Sequence, residues 1–195
     1  MADKKTDPWL TRWLPLISSR SRDLDVLELG CGWGWDTATL CSAGLGVIGV
    51  DISQDNIAMA KLEAPQASFH CQDIRTWFPS SFGPHGAIVA SLSLHYFSWS
   101  ETRALVTGMH EALTSRGVCL VRLNSVNDIH HGAAGYPEIS RHYYAVNGKP
   151  KRFFDRDDIK ALFDTGWKQL ALAEMTISRF KRPKVVWEMI LEKDQ

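Results

Sequence analysis

Between Glu28 and Ala60 the chain has no lysine or arginine, yet it carries Glu28, Asp36, Asp51 and Asp55. A phosphate-rich ligand would find no counter-charge there. G-x-x-x-x-G-K-[ST] is also missing, which excludes a P-loop. The four cysteines, Cys31, Cys41, Cys71 and Cys119, show no C-x-x-C spacing, so reduced core thiols are expected rather than a disulfide or zinc framework. No H-x-x-x-H or H-E-x-x-H frame is present either, and Asp128, His130, His131 and His142 alone do not predict a metal. No apolar run approaches the length of a bilayer span, and Met1-Ala2-Asp3-Lys4-Lys5 leads into polar residues instead of a signal-peptide core. A cytoplasmic protein is therefore expected. Neither sign of charge prevails, with 22 basic and 22 acidic side chains. That balance offers no field for nucleic acid or a membrane surface. The expected partner is a small molecule, and oligomeric state is not legible.

Against these absences stands Val26-Leu27-Glu28-Leu29-Gly30-Cys31-Gly32-Trp33-Gly34, an apolar strand running into a glycine-rich turn. Glycines there let the backbone turn sharply and approach a ligand. A second apolar run, Gly46 to Val50, ends in Asp51, where such a unit meets a ribose. A dinucleotide fingerprint would place its third glycine at position 35, and this chain has Trp35. The pattern E-x-G-x-G-x-G with acidic surroundings fits an adenosyl ligand that lacks phosphates and carries a positive centre. It argues against an NAD-dependent oxidoreductase.

At 195 residues the chain suits one α/β domain, 1–195, and its patterning alternates strand and helix as a doubly wound sheet requires. Pro8 to Ile17 predicts an N-terminal helix, within residues 1–20, interrupted or ended near Pro15, with Trp9 and Trp13 on one face. Strands are expected at Asp25 to Leu29, Gly46 to Asp51, Ala67 to Cys71, Gly86 to Ser91 and Gly117 to Leu123. Helices are expected at Trp35 to Ala43, at Gln54 to Glu63 with Ser53 as cap, and from a Ser98 or Ser100 cap to about Leu113. Asp36 reads as a helix-start residue favoured by the helix dipole. From Asn124 to Arg152 there is no sustained period, as in a binding loop or lid. A helical pattern returns over Phe153 to Phe163, followed by strands at Trp167 to Met175 and Val185 to Leu191.

The ordered set of Glu28 to Gly34, Asp51, Cys71-Gln72-Asp73-Ile74 and Ala90-Ser91-Leu92-Ser93-Leu94-His95-Tyr96 resembles a class I S-adenosylmethionine-dependent methyltransferase. The resemblance implies a Rossmann-like three-layer sandwich with a mostly parallel seven-stranded sheet closed by a C-terminal antiparallel hairpin. It also implies S-adenosylmethionine as methyl donor. Glu28, Gly30, Cys31 and Gly32 would then lie at the methionine portion, Asp51 and Ile52 at the ribose, Asp73 and Ile74 at the adenine, and Ser91 at the pocket wall. His95 and Tyr96 would stand near the methyl group, with His95 a base only where the acceptor must lose a proton. Trp13 is a further candidate to cover the donor. Asn124, Tyr143 and Arg152 are the candidate substrate residues.

No N-P-P-Y or D-P-P-Y follows the fourth strand, nor the acids of an aminopropyltransferase, so a flipped base or a polyamine is not the expected acceptor. The acid often found before that strand is replaced by Gly83-Pro84-His85-Gly86, which puts local strand anchoring in question. Leu92 to Phe97, Asn124 to Asp128 and Lys151-Arg152-Phe153-Phe154 resemble bacterial small-molecule methyltransferases of the tellurite-resistance type, implying a thiol or a small oxyanion as acceptor. Basic residues at Lys149, Lys151, Arg152, Arg179, Lys181, Arg182 and Lys184 would favour an anion if some converge on the pocket mouth. A non-catalytic module that binds the donor and regulates a partner is the alternative.

Overall fold

The computed structural model describes residues 7–76 and 83–194. Residues 1–6 of the expected N-terminal segment lie outside the described residues. Seven strands form one sheet: β1 (Val26–Leu29), β2 (Val47–Asp51), β3 (Ser68–Cys71), β4 (His85–Ser91), β5 (Leu113–Asn124), β9 (Trp167–Ile177) and β10 (Lys184–Lys193). They lie in the order β3-β2-β1-β4-β5-β10-β9. Strands β1 to β5 pair in parallel, whereas β10 runs antiparallel between β5 and β9. This is the Rossmann-like mixed sheet with C-terminal antiparallel strands that the resemblance implies. The strand order reverses between β1 and β4, the switch point at which open α/β sheets bind ligands beyond their carboxyl ends.

Alternation along the strands divides the core into two. Leu27, Leu29, Ile88 and Val121 face α4 (Trp99–Ala112) and α5 (Arg156–Leu162), against Leu105, Met109 and Ile159. Val26, Val47, Val89 and Leu120 face α1 (Leu14–Ser21) and α2 (Trp35–Ser42), against Ile17 and Leu40. Between β2 and β3 lies α3 (Gln54–Glu63), whose first turn is capped by Ser53 as expected, Oγ accepting from the Asn56 amide at 3.3 Å.

Departures from the patterning include three with a local physical cause. Pro15 begins α1 rather than ending a helix, because a first-turn proline gives up an amide that has no helical partner. Phe153 and Phe154 are extended and fully buried, and α5 starts only after Asp155, which with Asp158 forms a reciprocal capping box. The segment expected to be irregular, 124–152, contains a three-stranded antiparallel sheet of β6 (Glu138–Ser140), β7 (Tyr143–Val146) and β8 (Lys149–Arg152). Its tight turn, Asn147-Gly148, has positive φ at both residues (51° and 76°), the conformation that Asn-Gly hairpin turns favour.

The missing acid before β4 is compensated locally. Buried His85 donates from Nδ1 to the Asp25 carbonyl at 2.9 Å, tying β4 to the start of β1. At Gly86 a β-carbon would overlap the Arg20 carbonyl, so glycine is what lets the end of α1 pack on β4.

The N-terminal arm is held by charge. Arg122 donates from Nε and Nη2 to Glu188 on β10 at 3.0 and 2.8 Å, pairs with Asp7, and lies 4.3 Å from the ring centre of Trp9. Trp9 in turn donates from Nε1 to both oxygens of Asp36 at 3.0 Å. Burial pulls the Asp36 carboxyl above its usual range. Trp13 donates to Glu188 at 3.3 Å, which sets its indole against β10.

Candidate functional site

Gly30 leaves β1 with φ of +75°, and its amide and that of Cys31 both donate to the Val50 carbonyl, at 2.7 and 2.9 Å. That conformation strains L side chains, and a β-carbon here would overlap the Ser93 side chain. The turn therefore sits directly against the segment after β4. Asp51, at the end of β2 and buried, joins the two rims. Its Oδ2 accepts from the Gly32 amide at 2.9 Å, and its Oδ1 accepts from the Ser53 amide at 2.9 Å and from Asn56 Nδ2 at 3.0 Å. Asn56 also accepts from Trp33 Nε1 at 3.1 Å. It braces both the carboxylate and the glycine turn. Sequence reasoning passed it over, although it stands five residues beyond Asp51 on the first turn of a capped helix.

Glu28 is buried, accepts from the Thr37 hydroxyl, and has its carboxyl held well above the usual range by burial and then by Asp36. Burial, then the nearby Glu28 and Asp51 carboxylates, push the Cys31 thiol up. Ile52 is exposed, while Ile74 is buried in the core. Asp73 is engaged by Arg75, whose Nε reaches both carboxylate oxygens at 3.1 Å and whose Nη2 reaches Oδ2 at 2.6 Å. This pair holds the Asp73 carboxyl below its usual range. Arg75 was not singled out from the sequence, because its pairing needs the turn at Asp73 to fold back on itself.

Beyond β4 and β5 lies a cluster of polar atoms that protein groups leave open. Ser91 Oγ, Ser93 Oγ, His95 Nδ1 and Asn124 Oδ1 are buried without a hydrogen-bond partner among the described residues. Such atoms are costly unless something pairs with them. Ser93 lies against the glycine turn, His95 is in the 3₁₀ turn Leu94–Tyr96, and Ser91 and Asn124 end the adjacent parallel strands β4 and β5, a set that suits a polar ligand seated at the switch point. His95 is only 2% exposed, and burial, followed by Lys184 and Lys151, holds its imidazole well below its ordinary pKa. Its ring lies 4.2 Å from that of half-exposed Tyr96, whose hydroxyl is pushed up by burial and by Asp51.

The small sheet clamps this turn. Tyr143 Oη donates to the Tyr96 carbonyl at 3.2 Å, and Arg152 Nε donates to the Phe97 carbonyl at 3.3 Å. Arg152 further donates to the Arg141 carbonyl at 3.2 Å and lies 4.6 Å from the Tyr143 ring centre. Both residues are buried. Asn124 Nδ2 is spent on the Arg152 carbonyl at 3.3 Å, leaving Oδ1 as its open atom. Of the three substrate candidates, Asn124 supplies one of the open atoms, while Tyr143 and Arg152 brace the main chain just after His95.

The polar residues 128, 130, 131 and 142 do not form one site, although two of them pair. His131 donates to Asp128 at 2.8 Å, whereas His142 donates to Asp158 at 2.8 Å and has Asp155 at 3.8 Å. His142, Asp155 and Asp158 are close enough to share an ion, but Arg141 pairs with both carboxylates and both cap α5. A separate cleft of about 460 Å³, lined by Asp7, Thr11, Trp35, Asp36, Thr39 and Arg179, lies under the N-terminal arm and does not include Gly30, Gly32 or Asp51. No described helix is long and apolar enough to cross a membrane.

Residues 26–117 match the family of the methyltransferase domain. An uncharacterised methyltransferase of Synechocystis sp. is 30% identical over 93 residues, covering 48% of this chain and 43% of that protein. A trans-aconitate 2-methyltransferase of Delftia acidovorans is 32% identical over 127 residues, covering 63% of this chain and 45% of that protein. The chain thus spans less than half the length of these relatives in the matched regions. In fold it is similar to an S-adenosylmethionine-dependent methyltransferase from Mesorhizobium loti, with a TM-score of 0.74 and 18% identity over 97% of this chain and 99% of that one.

Proposed function

We propose, from the premise that residues 26–117 form a domain of the methyltransferase family, that this chain transfers the methyl group of S-adenosylmethionine to a small-molecule acceptor. The observation that carries the reading is the junction of Gly30, Asp51 and the open polar cluster at the β1/β4 switch point. Gly30, Cys31 and Gly32 would border the methionine portion, with Glu28 beneath them shaping the turn through Thr37. Asp51 and Ile52 would meet the ribose, Asp73 and Ile74 the adenine, and Ser91 the wall between donor and acceptor. When bound, the donor supplies an electrophilic methyl on a positively charged sulfur. The absence of basic side chains from 28 to 60 suits that charge.

His95 and Tyr96 stand on the acceptor side as the candidate catalytic residues, with Asn124 beside them. Most of the rate enhancement would come from alignment in a water-poor pocket. The motifs around Leu92 to Phe97 and Lys151 to Phe154, similar to the tellurite-resistance type, favour a thiol or small oxyanion. A matched relative is named a trans-aconitate 2-methyltransferase, which supports a carboxylate as a further candidate acceptor.

Isothermal titration tests the reading. S-adenosylhomocysteine is expected to bind at micromolar affinity and NAD not at all. Asp51→Ala should weaken that binding by about 1.5–3 kcal/mol, the range for hydrogen bonds to a charged group, with circular dichroism unchanged. Binding of NAD alone would overturn the proposal. Donor binding without turnover across thiols, oxyanions and carboxylates would favour the regulatory module instead.

A further inference from the structure

The loop proposed for adenine and the start of α4 are joined by one side chain, Arg75, which fills Asp73. Asp73 Oδ1 accepts from the Arg75 amide at 2.9 Å and from its Nε at 3.1 Å, while Oδ2 accepts from Nε at 3.1 Å and from Nη2 at 2.6 Å. A carboxylate offers about four lone-pair positions, so no strong one is left for a further donor. The other arm of the fork, Nη1, reaches Glu101 Oε1 at 3.2 Å, 26 positions away, and Cζ lies 5.7 Å from the ring centre of Phe97. Glu101 in turn closes the N-terminus of α4. Its Oε2 accepts from the Ser98 amide at 2.8 Å, and its own amide donates to Ser98 Oγ at 3.3 Å, a reciprocal capping box. Ser98 and Phe97 follow directly on the 3₁₀ turn that carries His95 and Tyr96. The side chains of Arg75, Asp73 and Glu101 are 46, 22 and 40% exposed, and ion pairs so wet contribute little to stability. Their effect lies in what they connect.

We infer that Arg75 is a positioning residue for methyl transfer, coupling donor occupancy at Asp73 to the turn that carries His95 and Tyr96. This rests on the methyl-transfer reading and adds a regulation of its site. An adenine amine that donates to Asp73 has to take a lone pair now held by the guanidinium. The freed N–H turns to Glu101, which receives only one bond from Arg75 in the empty site. The strengthened pair then tightens the cap of α4 next to Phe97, whose carbonyl Arg152 already holds. Binding of the donor thereby orders the acceptor side through a group that touches neither the methyl nor the acceptor.

Hydrogen exchange read by mass spectrometry on peptides covering 28–36 and 94–104, with and without saturating S-adenosylhomocysteine, tests the link. In the native chain the ligand is expected to slow exchange in both, at the Ser98 and Glu101 amides by about two- to fivefold, the factor that an exposed ion pair can carry. Arg75→Gln should keep the protection of the first peptide and lose the added protection of the second. Glu101→Gln breaks the same link from the other end while leaving a residue able to form the cap, and should give the same result. The double variant should lose no more than either single one, as for residues acting in one chain of contacts, and urea midpoints should stay near the native value. Equal ligand-dependent protection of 94–104 in the native chain and Arg75→Gln would overturn the inference, as would its absence from a native chain whose first peptide is protected. Either leaves the methyl-transfer reading standing. Failure of S-adenosylhomocysteine to bind the native chain would remove both.

Discussion

Gly30→Ala is expected to abolish measurable S-adenosylhomocysteine binding and to cost the fold about 3 kcal/mol. An L residue forced to the left-handed region loses about 1–2 kcal/mol. A β-carbon that overlaps a packed neighbour adds about 1–3 kcal/mol more. Here the neighbour is Ser93, whose Cβ and Oγ lie against Gly30 and whose hydroxyl belongs to the open polar cluster. Relief can come only by moving the glycine turn away from β4, which would also pull the Gly32 amide from Asp51. The two effects are separable by urea unfolding and calorimetric titration on the same sample. A variant that unfolds at the native midpoint and binds the donor normally would remove the glycine turn from the site.

A similar loss of stability, without loss of donor contacts, is expected of Arg122→Leu. Arg122 is among the largest fully buried side chains, and it binds Glu188, Asp7 and the face of Trp9 at once. Removing one partner of a buried ion pair typically costs about 3–5 kcal/mol, because the remaining charge is left in a poorly solvated place. Glu188 keeps Arg12 and Trp13, which puts the expected value near the lower end, about 3 kcal/mol. Arg122→Met with Glu188→Met should recover much of that loss, since paired apolar replacements of buried ions are often neutral. A single variant as stable as the native chain would mean that the network only decorates the sheet. Limited proteolysis would report release of the arm at Asp7 to Trp9.

The glycine turn, Asp51 and the capped helix, proposed for the donor, were legible because their structure is local. Glycines at positive φ, a carboxylate at a strand end and a serine-capped helix announce themselves within a few residues, and the sheet order follows from alternating strands and helices. The segment from 124 to 155, proposed for the acceptor, was obscured by two short-range signals that were available but passed over. Asn147-Gly148 is a hairpin turn, and Asp155-x-x-Asp158 is a capping box that moves the start of α5 past Phe153 and Phe154. Their apolar side chains mimic the first turn of a helix while belonging to extended, buried chain. Other features were not local at all. Arg152 reaches back 55 positions to the Phe97 carbonyl, and Arg122 reaches 66 forward to Glu188. Pairings of that kind depend on strand order and register, which residue spacing does not encode.

Strand β10 comes last in chain order yet lies inside the sheet, pairing with β5 over registers from Val118↔Glu192 to Asn124↔Val186. As the polypeptide emerges during synthesis, β5 would remain with one open edge until residues 184–193 have arrived. That edge carries Val118, Leu120, Val121 and Leu123, all fully buried in the finished fold. Unpaired apolar strand edges template wrong pairings between molecules. A truncation short of β10 would therefore endanger solubility before it affected the donor site.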